Sequence, residues 1–437
     1  MLTRRKVLSS ALSLVVCVTL AAGERTDVGN KAERVEWFMD QGLGMFVHWS
    51  VDSQLGSVIS HSMVGASDDY LDRFIHELPQ TFYPERFNPD EWARLAKLAG
   101  MKYVVFTTKH HSGFCMFHTK TTDFSIRNTP YKKDITKELV KSLRQFGIAV
   151  GFYFSPDDFW LLHKQGRNVS RRRDEALPVN NPELMAHNKA QLRELFKKYG
   201  PIDVLFIDGQ PDGLKELAWE LQPNCVVTRG AMETPEQKTP DEPMPGPWEA
   251  CYTLGTQWQF KPTNEDYKSG SQLIEMLIEI RAKGGNFLLN VGPQPDGIIP
   301  FEQERRMREL ALWLFINREA IYEIRPWRVI REGDIWFTKA KDTDTVYAFL
   351  TKLPDWKKGQ RKEFTLKSVR ATPRSKVSVL GQSGRVLEYN TAVIPETRWN
   401  QDEEGLHISV MRAQRIYNNT RWPNPIVLKI TNAQAVE

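Results

Sequence analysis

From about residue 40 to 320 the chain alternates short apolar runs with longer segments of helical period. Runs 43–49, 103–107, 148–154, 204–207, 225–228 and 286–291 are rich in β-branched and aromatic residues and lack polar alternation, the pattern of strands covered on both faces. The segments between them carry helix punctuation. Asn88-Pro89 opens a helix that stops at Gly100, Asp134 caps one over 135–146 before Gly147, and Asn181-Pro182 opens one that runs to Tyr199 and ends at Gly200-Pro201. Segments 271–283 and 301–317 complete the set. Strand–helix alternation sustained over this length predicts a parallel sheet closed into a (β/α)8-like barrel, an α/β fold. Six strands are clear in the pattern, so closure is an inference from length. Beyond Tyr322 the texture changes to short alternating runs at 336–339, 345–351, 363–367, 376–379, 406–409 and 426–430, which predicts an antiparallel β-sandwich. The expected organisation is a barrel over residues 24–325 and a sandwich over 326–437, with the boundary in the stretch 322–333.

The first 23 residues do not belong to that pattern. Arg4-Arg5-Lys6, an apolar run from Val7 to Leu20 and a small-residue end at Ala21-Ala22-Gly23 read as a secretory signal, with Thr3-Arg4-Arg5-Lys6-Val7-Leu8 resembling a twin-arginine signal. The run is too short to span a bilayer. Periplasmic or extracellular export is the expectation. Cys115, Cys225 and Cys251 remain, an odd number without C-x-x-C spacing, so neither a disulfide framework nor a Cys-rich zinc site is indicated. The 59 basic and 54 acidic residues are balanced, which argues against nucleic acid as the main partner. The 13 Trp are more suggestive, because flat rings suit the C–H faces of sugars as well as a core. Nothing in the pattern specifies an oligomeric state.

A parallel barrel gathers its chemistry at the C-terminal ends of its strands. There the sequence offers His48-Trp49, His110-His111, Tyr153, Asp208-Gly209 and Trp248-Glu249. Each has a plain alternative: Asp-Gly makes turns, Glu249 could be a loop acid, and a single His is often hydrogen-bonded scaffold. The His110-His111 pair also suggests a metal, yet neighbouring strand residues point to opposite faces and cannot readily share an ion. Convergence of three His, a Tyr and two carboxylates, with Trp49 and Trp248 beside them and no dinucleotide, P-loop or nucleophile-elbow motif, fits glycoside hydrolysis. Asp208 would then be the anion, and Glu249, next to apolar Trp248, the acid with a raised pKa.

At these residues the sequence resembles the α-L-fucosidases of glycoside hydrolase family 29. Gly44-Met45-Phe46-Val47-His48-Trp49, Thr107-Thr108-Lys109-His110-His111-Ser112-Gly113-Phe114, Phe152-Tyr153-Phe154-Ser155, the strand ending in Asp208-Gly209, Trp248-Glu249-Ala250-Cys251 and Gly285-Asn286-Phe287-Leu288-Leu289-Asn290-Val291-Gly292-Pro293 are similar to that family's motifs, in order. The resemblance implies a retaining exo-α-L-fucosidase, a barrel followed by a sandwich, a fucosylated oligosaccharide or polysaccharide as substrate and no cofactor. It implies Asp208 as nucleophile, His48, His110, His111 and Tyr153 as ligands of the fucose hydroxyls, and Glu249 as acid/base with Glu233 in reserve. Ser112 replaces the usual Asp and Ile207 an aromatic residue, departures that bear on sugar and linkage specificity. Three other readings stand beside it: an exo-glycosidase for a related sugar, a carbohydrate-binding protein that has lost its acid, and a metal-dependent hydrolase built on His110, His111 and Asp208.

Overall fold

The computed structural model describes residues 29–353, 355–416 and 422–436; the proposed leader lies outside them. Seven parallel strands form one sheet: β1 (Leu43–Val47), β2 (Tyr103–Lys109), β3 (Ala149–Phe154), β4 (Val204–Ile207), β5 (Val226–Val227), β6 (Glu249–Thr253) and β7 (Asn286–Val291), in the order β5-β4-β3-β2-β1-β7-β6. Successive strands are neighbours, as in a (β/α)8-like barrel, with β5 and β6 at the two edges. The gap between those edges is filled by an irregular segment: the backbones of Glu233, Pro235 and Gln237 bond to Glu249 and Cys251 along the free side of β6.

The strands are apolar on both sides because both sides are covered. Phe46, Val105, Tyr153, Phe206, Cys251 and Leu288 turn into one cluster inside the curled sheet. Met45, Val104, Phe152, Leu205, Ala250 and Leu289 turn outward into the main core beneath the helices. Gly44 faces inward where the Tyr103 ring leaves no room, since a Cβ there would sit 2.4 Å from the ring. The helices begin where the caps predict: Asn88, Asp134 and Asn181 accept backbone N–H groups at the starts of Pro89–Leu98, Ile135–Gln145 and Pro182–Lys198, and Ser269 with Gln272 forms a capping box on Gly270–Ala282.

The antiparallel part begins at Ile324, inside the boundary stretch read from the sequence. Ile324–Glu332, Ile335–Ala340, Val346–Leu350, Ile426–Ile430 and Val377–Val379 form a five-stranded sheet, and Arg361–Leu366, Leu406–Met411 and Arg398–Gln401 a three-stranded one. Alternation in Val346–Leu350 serves both neighbours. Val346, Ala348 and Leu350 pack toward the three-stranded sheet, while Tyr347 and Phe349 join the barrel core. Trp313, fully buried on helix Phe301–Asn317, makes the joint: its ring lies 6.4 Å from Phe349 and its Nε1–H donates to the Pro425 carbonyl at 2.8 Å. No helix among the described residues is long and apolar enough to cross a membrane.

Trp313→Ala should therefore lower stability by about 3–5 kcal/mol, the usual cost of emptying a large buried aromatic site. Urea unfolding of native and variant chains checks this; an unchanged midpoint would show that the joint contributes nothing.

Candidate functional site

At the C-terminal mouth of the sheet, Phe46, His48, His61, His110, His111, Tyr153, Arg171, Phe206, Asp208, Arg229, Glu236, Cys251 and Trp258 line one hollow. The alternation that builds the barrel also selects these side chains. Phe46 and His48, and Phe206 and Asp208, lie two residues apart on the inward face, so aromatic rings form a floor with polar groups above it. His110 and His111 escape alternation because β2 ends at Lys109; their rings lie 4.0 Å apart and both face the hollow. The expectation that neighbouring His residues point apart holds only within a strand.

Asp208 follows β4 and is the focus of the charges. Its carboxylate accepts the Tyr153 hydroxyl at 2.7 Å, and Arg171 Nη2 and Arg229 Nη1 each lie 3.3 Å from its Oδ1. His111 Nε2 is 3.5 Å from the other oxygen. Burial alone would raise the Asp208 pKa, but His111, the two guanidiniums and the Tyr153 hydroxyl outweigh it and hold the carboxyl well below the ordinary range. Burial pushes the His111 pKa itself well down. Arg171 is in turn braced by Asp157, 2.6 Å from its Nε. Arg229 leads to a second carboxylate: its Nη1 is also 2.9 Å from Glu236 Oε2, while Thr234 takes its other donors.

The three histidines read in the sequence are buried and uncharged. Burial brings His48 down to about 4 and pushes His110 and His111 further below their ordinary value. Their partners then decide where each single proton sits. His48 Nδ1 lies 2.7 Å from Asn290 Oδ1, an acceptor because the Asn290 amide donates to the Trp258 carbonyl. His48 therefore turns a bare Nε2 to the hollow. His111 Nδ1 is 2.6 Å from Ser155 Oγ and 3.3 Å from Asp157 Oδ2, while its Nε2 lies 3.5 Å from Asp208 Oδ2, so a carboxylate faces each nitrogen of that ring. Ligand atoms of His110, His111 and Asp208 lie within 4.8 Å of one another, and Asp208 there is already paired with Arg171 and Arg229.

The family model described as Alpha-L-fucosidase matches residues 22–319. The chain belongs to the α-L-fucosidase family. Plasma alpha-L-fucosidase of Rattus norvegicus is 30% identical over 365 residues, 73% of this chain and 77% of that one. Tissue alpha-L-fucosidase of Mus musculus is 29% identical over 423 residues, covering 86% and 87%. Among solved structures, alpha-L-fucosidase isoenzyme 1 from Paenibacillus thiaminolyticus superposes with a TM-score of 0.73 at 26% identity, covering 93% of this chain and 99% of that one.

Within this α-L-fucosidase fold, His48, His110, His111, Tyr153 and Asp208 meet in the hollow, whereas Glu249, Glu233, Trp49 and Trp248 do not line it. Glu249 is the first residue of β6, not a residue past its end, so it sits deep in the barrel, fully buried and hydrogen-bonded to the Tyr103 hydroxyl at the start of β2. Two residues on, the same inward face presents Cys251 to the hollow. Glu233 is paired beside Trp248, below the level of Cys251, and its side chain is exposed. Trp49 and Trp248 point outward: Trp49 packs on Phe82, Phe87 and Trp92, and Trp248 fills the space beside Gly285. Sequence reasoning missed Arg229, Arg171, Glu236, His61 and Trp258. Of these, Arg229 alone had a signal, because it directly follows the apolar run 225–228.

Burial raises Glu249 to about 7, with the Tyr103 hydroxyl only partly offsetting it. Between the ordinary glutamate value and 7 the folded chain holds a proton that the unfolded chain releases, so this group's contribution to stability falls as pH rises through that window. Glu249→Gln removes the term. The variant should gain on the native chain by up to about 3 kcal/mol between pH 5 and 8, as read from paired unfolding curves; a pH-independent difference would refute the assignment.

Proposed function

We propose that this chain is an exported exo-acting α-L-fucosidase that releases terminal α-L-fucose with retention, using Asp208 as nucleophile and Glu236 as acid/base. The observation that carries this reading is the shared nitrogen Arg229 Nη1, 3.3 Å from Asp208 and 2.9 Å from Glu236, which keeps the two carboxylates within about 6 Å, close to the spacing of retaining enzymes. The pairing Glu236↔Cys251 sets Glu236 at the height of the mouth. Its side chain is 44% exposed against 18% for Asp208, which suits a group that must meet the aglycone and then water.

In the first step an Asp208 oxygen attacks the anomeric carbon, the bond to the aglycone oxygen breaks, and Glu236 gives that oxygen its proton. In the second, Glu236 takes a proton from water, the water oxygen attacks the anomeric carbon, and the bond to Asp208 breaks to restore the carboxylate. His48, His110, His111 and Tyr153 hold the sugar through neutral hydrogen bonds. The hollow is closed below by Phe46 and Phe206, which supports removal of one terminal sugar at a time. Export rests on the leader read in residues 1–23.

Asp208→Gly should abolish turnover of aryl α-L-fucosides and, with azide, yield fucosyl azide of inverted configuration. Glu236→Ala should lose roughly 10²–10⁴-fold on fucosides with poor leaving groups, far less on activated ones, and give azide product of retained configuration. Glu249→Gln should keep turnover within a fewfold. A Glu249→Gln loss matching that of Glu236→Ala would sink the acid/base assignment, and full activity of Asp208→Gly would sink the mechanism.

A further inference from the structure

Ser60 lies beside the hollow, between Ile59 and His61 of its lining, fully buried, with φ of 59°, in the left-handed region where a residue with a side chain is strained. Glycine would take that backbone more easily, so the hydroxyl is the feature that a glycine would lack. Three bonds hold it. The Ser60 N–H donates to Asp52 Oδ2 at 2.7 Å, a carboxylate that is itself wholly buried. The Ser60 Oγ accepts the Ser112 N–H at 2.9 Å and lies 2.9 Å from His110 Nδ1. A hydroxyl has one proton to give. Ser112 arrives as a donor, and His110 Nδ1 is the other partner of that oxygen among the described residues, so the proton points at Nδ1.

We infer that Ser60 is a positioning residue for sugar recognition: seated by Asp52, its hydroxyl fixes His110 as the tautomer whose Nε2–H faces the substrate. The inference rests on the hollow being the sugar site. His110 then presents a donor and His48 a bare acceptor, each ring set by a neutral partner, Ser60 and Asn290. A sugar hydroxyl is both donor and acceptor, so this mixed set dictates how each hydroxyl must turn, and it does so without adding a charge. The stacked contact of His110 on the Tyr153 ring, 5.2 Å between centroids and 3° between planes, fixes the ring plane; Ser60 fixes which nitrogen is protonated.

The test is a ¹⁵N-histidine NMR spectrum of the full chain without substrate, with the His110 signals assigned by their loss in His110→Gln. The native chain should show His110 protonated on Nε2 alone across pH 5–8. Ser60→Gly, which relieves the backbone strain while removing the hydroxyl, should give a mixture of tautomers and lower kcat/KM on an aryl α-L-fucoside by roughly ten- to a hundredfold in a chain that remains folded. Ser60→Ala should behave alike in tautomer and kcat/KM. A native His110 carrying its proton on Nδ1, or a Ser60→Gly chain with unchanged kcat/KM, overturns the inference. The tautomer is read without substrate, so a native chain inactive on fucosides would refute the sugar site and leave the Ser60–His110 bond separately decided.

Discussion

A β-strand turns successive side chains to opposite faces, and when the sheet is curled one of those faces becomes an interior. That single constraint governs both scaffold and site here. Gly44, Phe46 and His48 share the inward face of β1; Met45, Val47 and Trp49 share the outward one. Tyr103 and Glu249 occupy the bottom of the interior, Phe46, Val105, Phe206 and Leu288 the middle, and His48, Tyr153 and Asp208 the mouth. A slip of one residue in β1 would exchange His48 for Trp49 and push an indole into the sugar hollow. The hydrophobic core thus fixes the register on which the chemistry depends.

The hollow must satisfy two opposed electrostatic demands. The Asp208 carboxylate has to stay ionised though nearly buried, while burial favours the neutral form of the histidines around it. Burial acts against every charge alike, at several kcal/mol for an isolated ion. The chain separates the demands by the choice of partners. Asp208 is met by Arg171, Arg229 and Tyr153, so its charge is balanced on the spot. His48 and His110 are met by Asn290 and Ser60, which carry no charge; His111 also lies near Asp157 and Asp208, and there burial outweighs the pull of the carboxylates. The same low polarity that keeps the rings neutral strengthens the pairing of Asp208 with its guanidiniums.

The barrel, its helices and the sandwich were legible because they follow from periodicity and punctuation. Run 204–207 matches β4 and run 286–291 matches β7, and Asn181-Pro182 marks a real helix start. Asp208, Tyr153 and the three histidines were legible because they stand at strand ends. Glu249 faces inward but too deep: Trp248-Glu249 was placed beyond a strand that in fact begins at Glu249. Ile324–Glu332 escaped notice because Pro326 and four charged residues break its apolar pattern, and because much of it lies half-exposed. Arg171, Glu236, His61 and Trp258 come from segments outside the strands that carry the site, brought near by tertiary folding. Spacing along the chain holds no trace of that proximity.

Glu236, the acid of the proposed mechanism, shows why a carboxylate on the rim is the harder one to read. Seven strands leave an opening between β5 and β6, and the chain crosses it with an irregular segment that borrows its order from the free edge of β6. Such a segment has no period of its own; Gln237 even takes a positive φ of 55°. Its height is nonetheless set, because the Gln237 N–H donates to the Cys251 carbonyl and the Cys251 N–H to the Pro235 carbonyl. In the proposed mechanism the nucleophile is anchored at the end of a core strand facing the sugar, which is constant, while the acid is carried on the rim facing the aglycone, which varies. Loop chemistry on the rim can change with the leaving group without disturbing the register of the barrel beneath it.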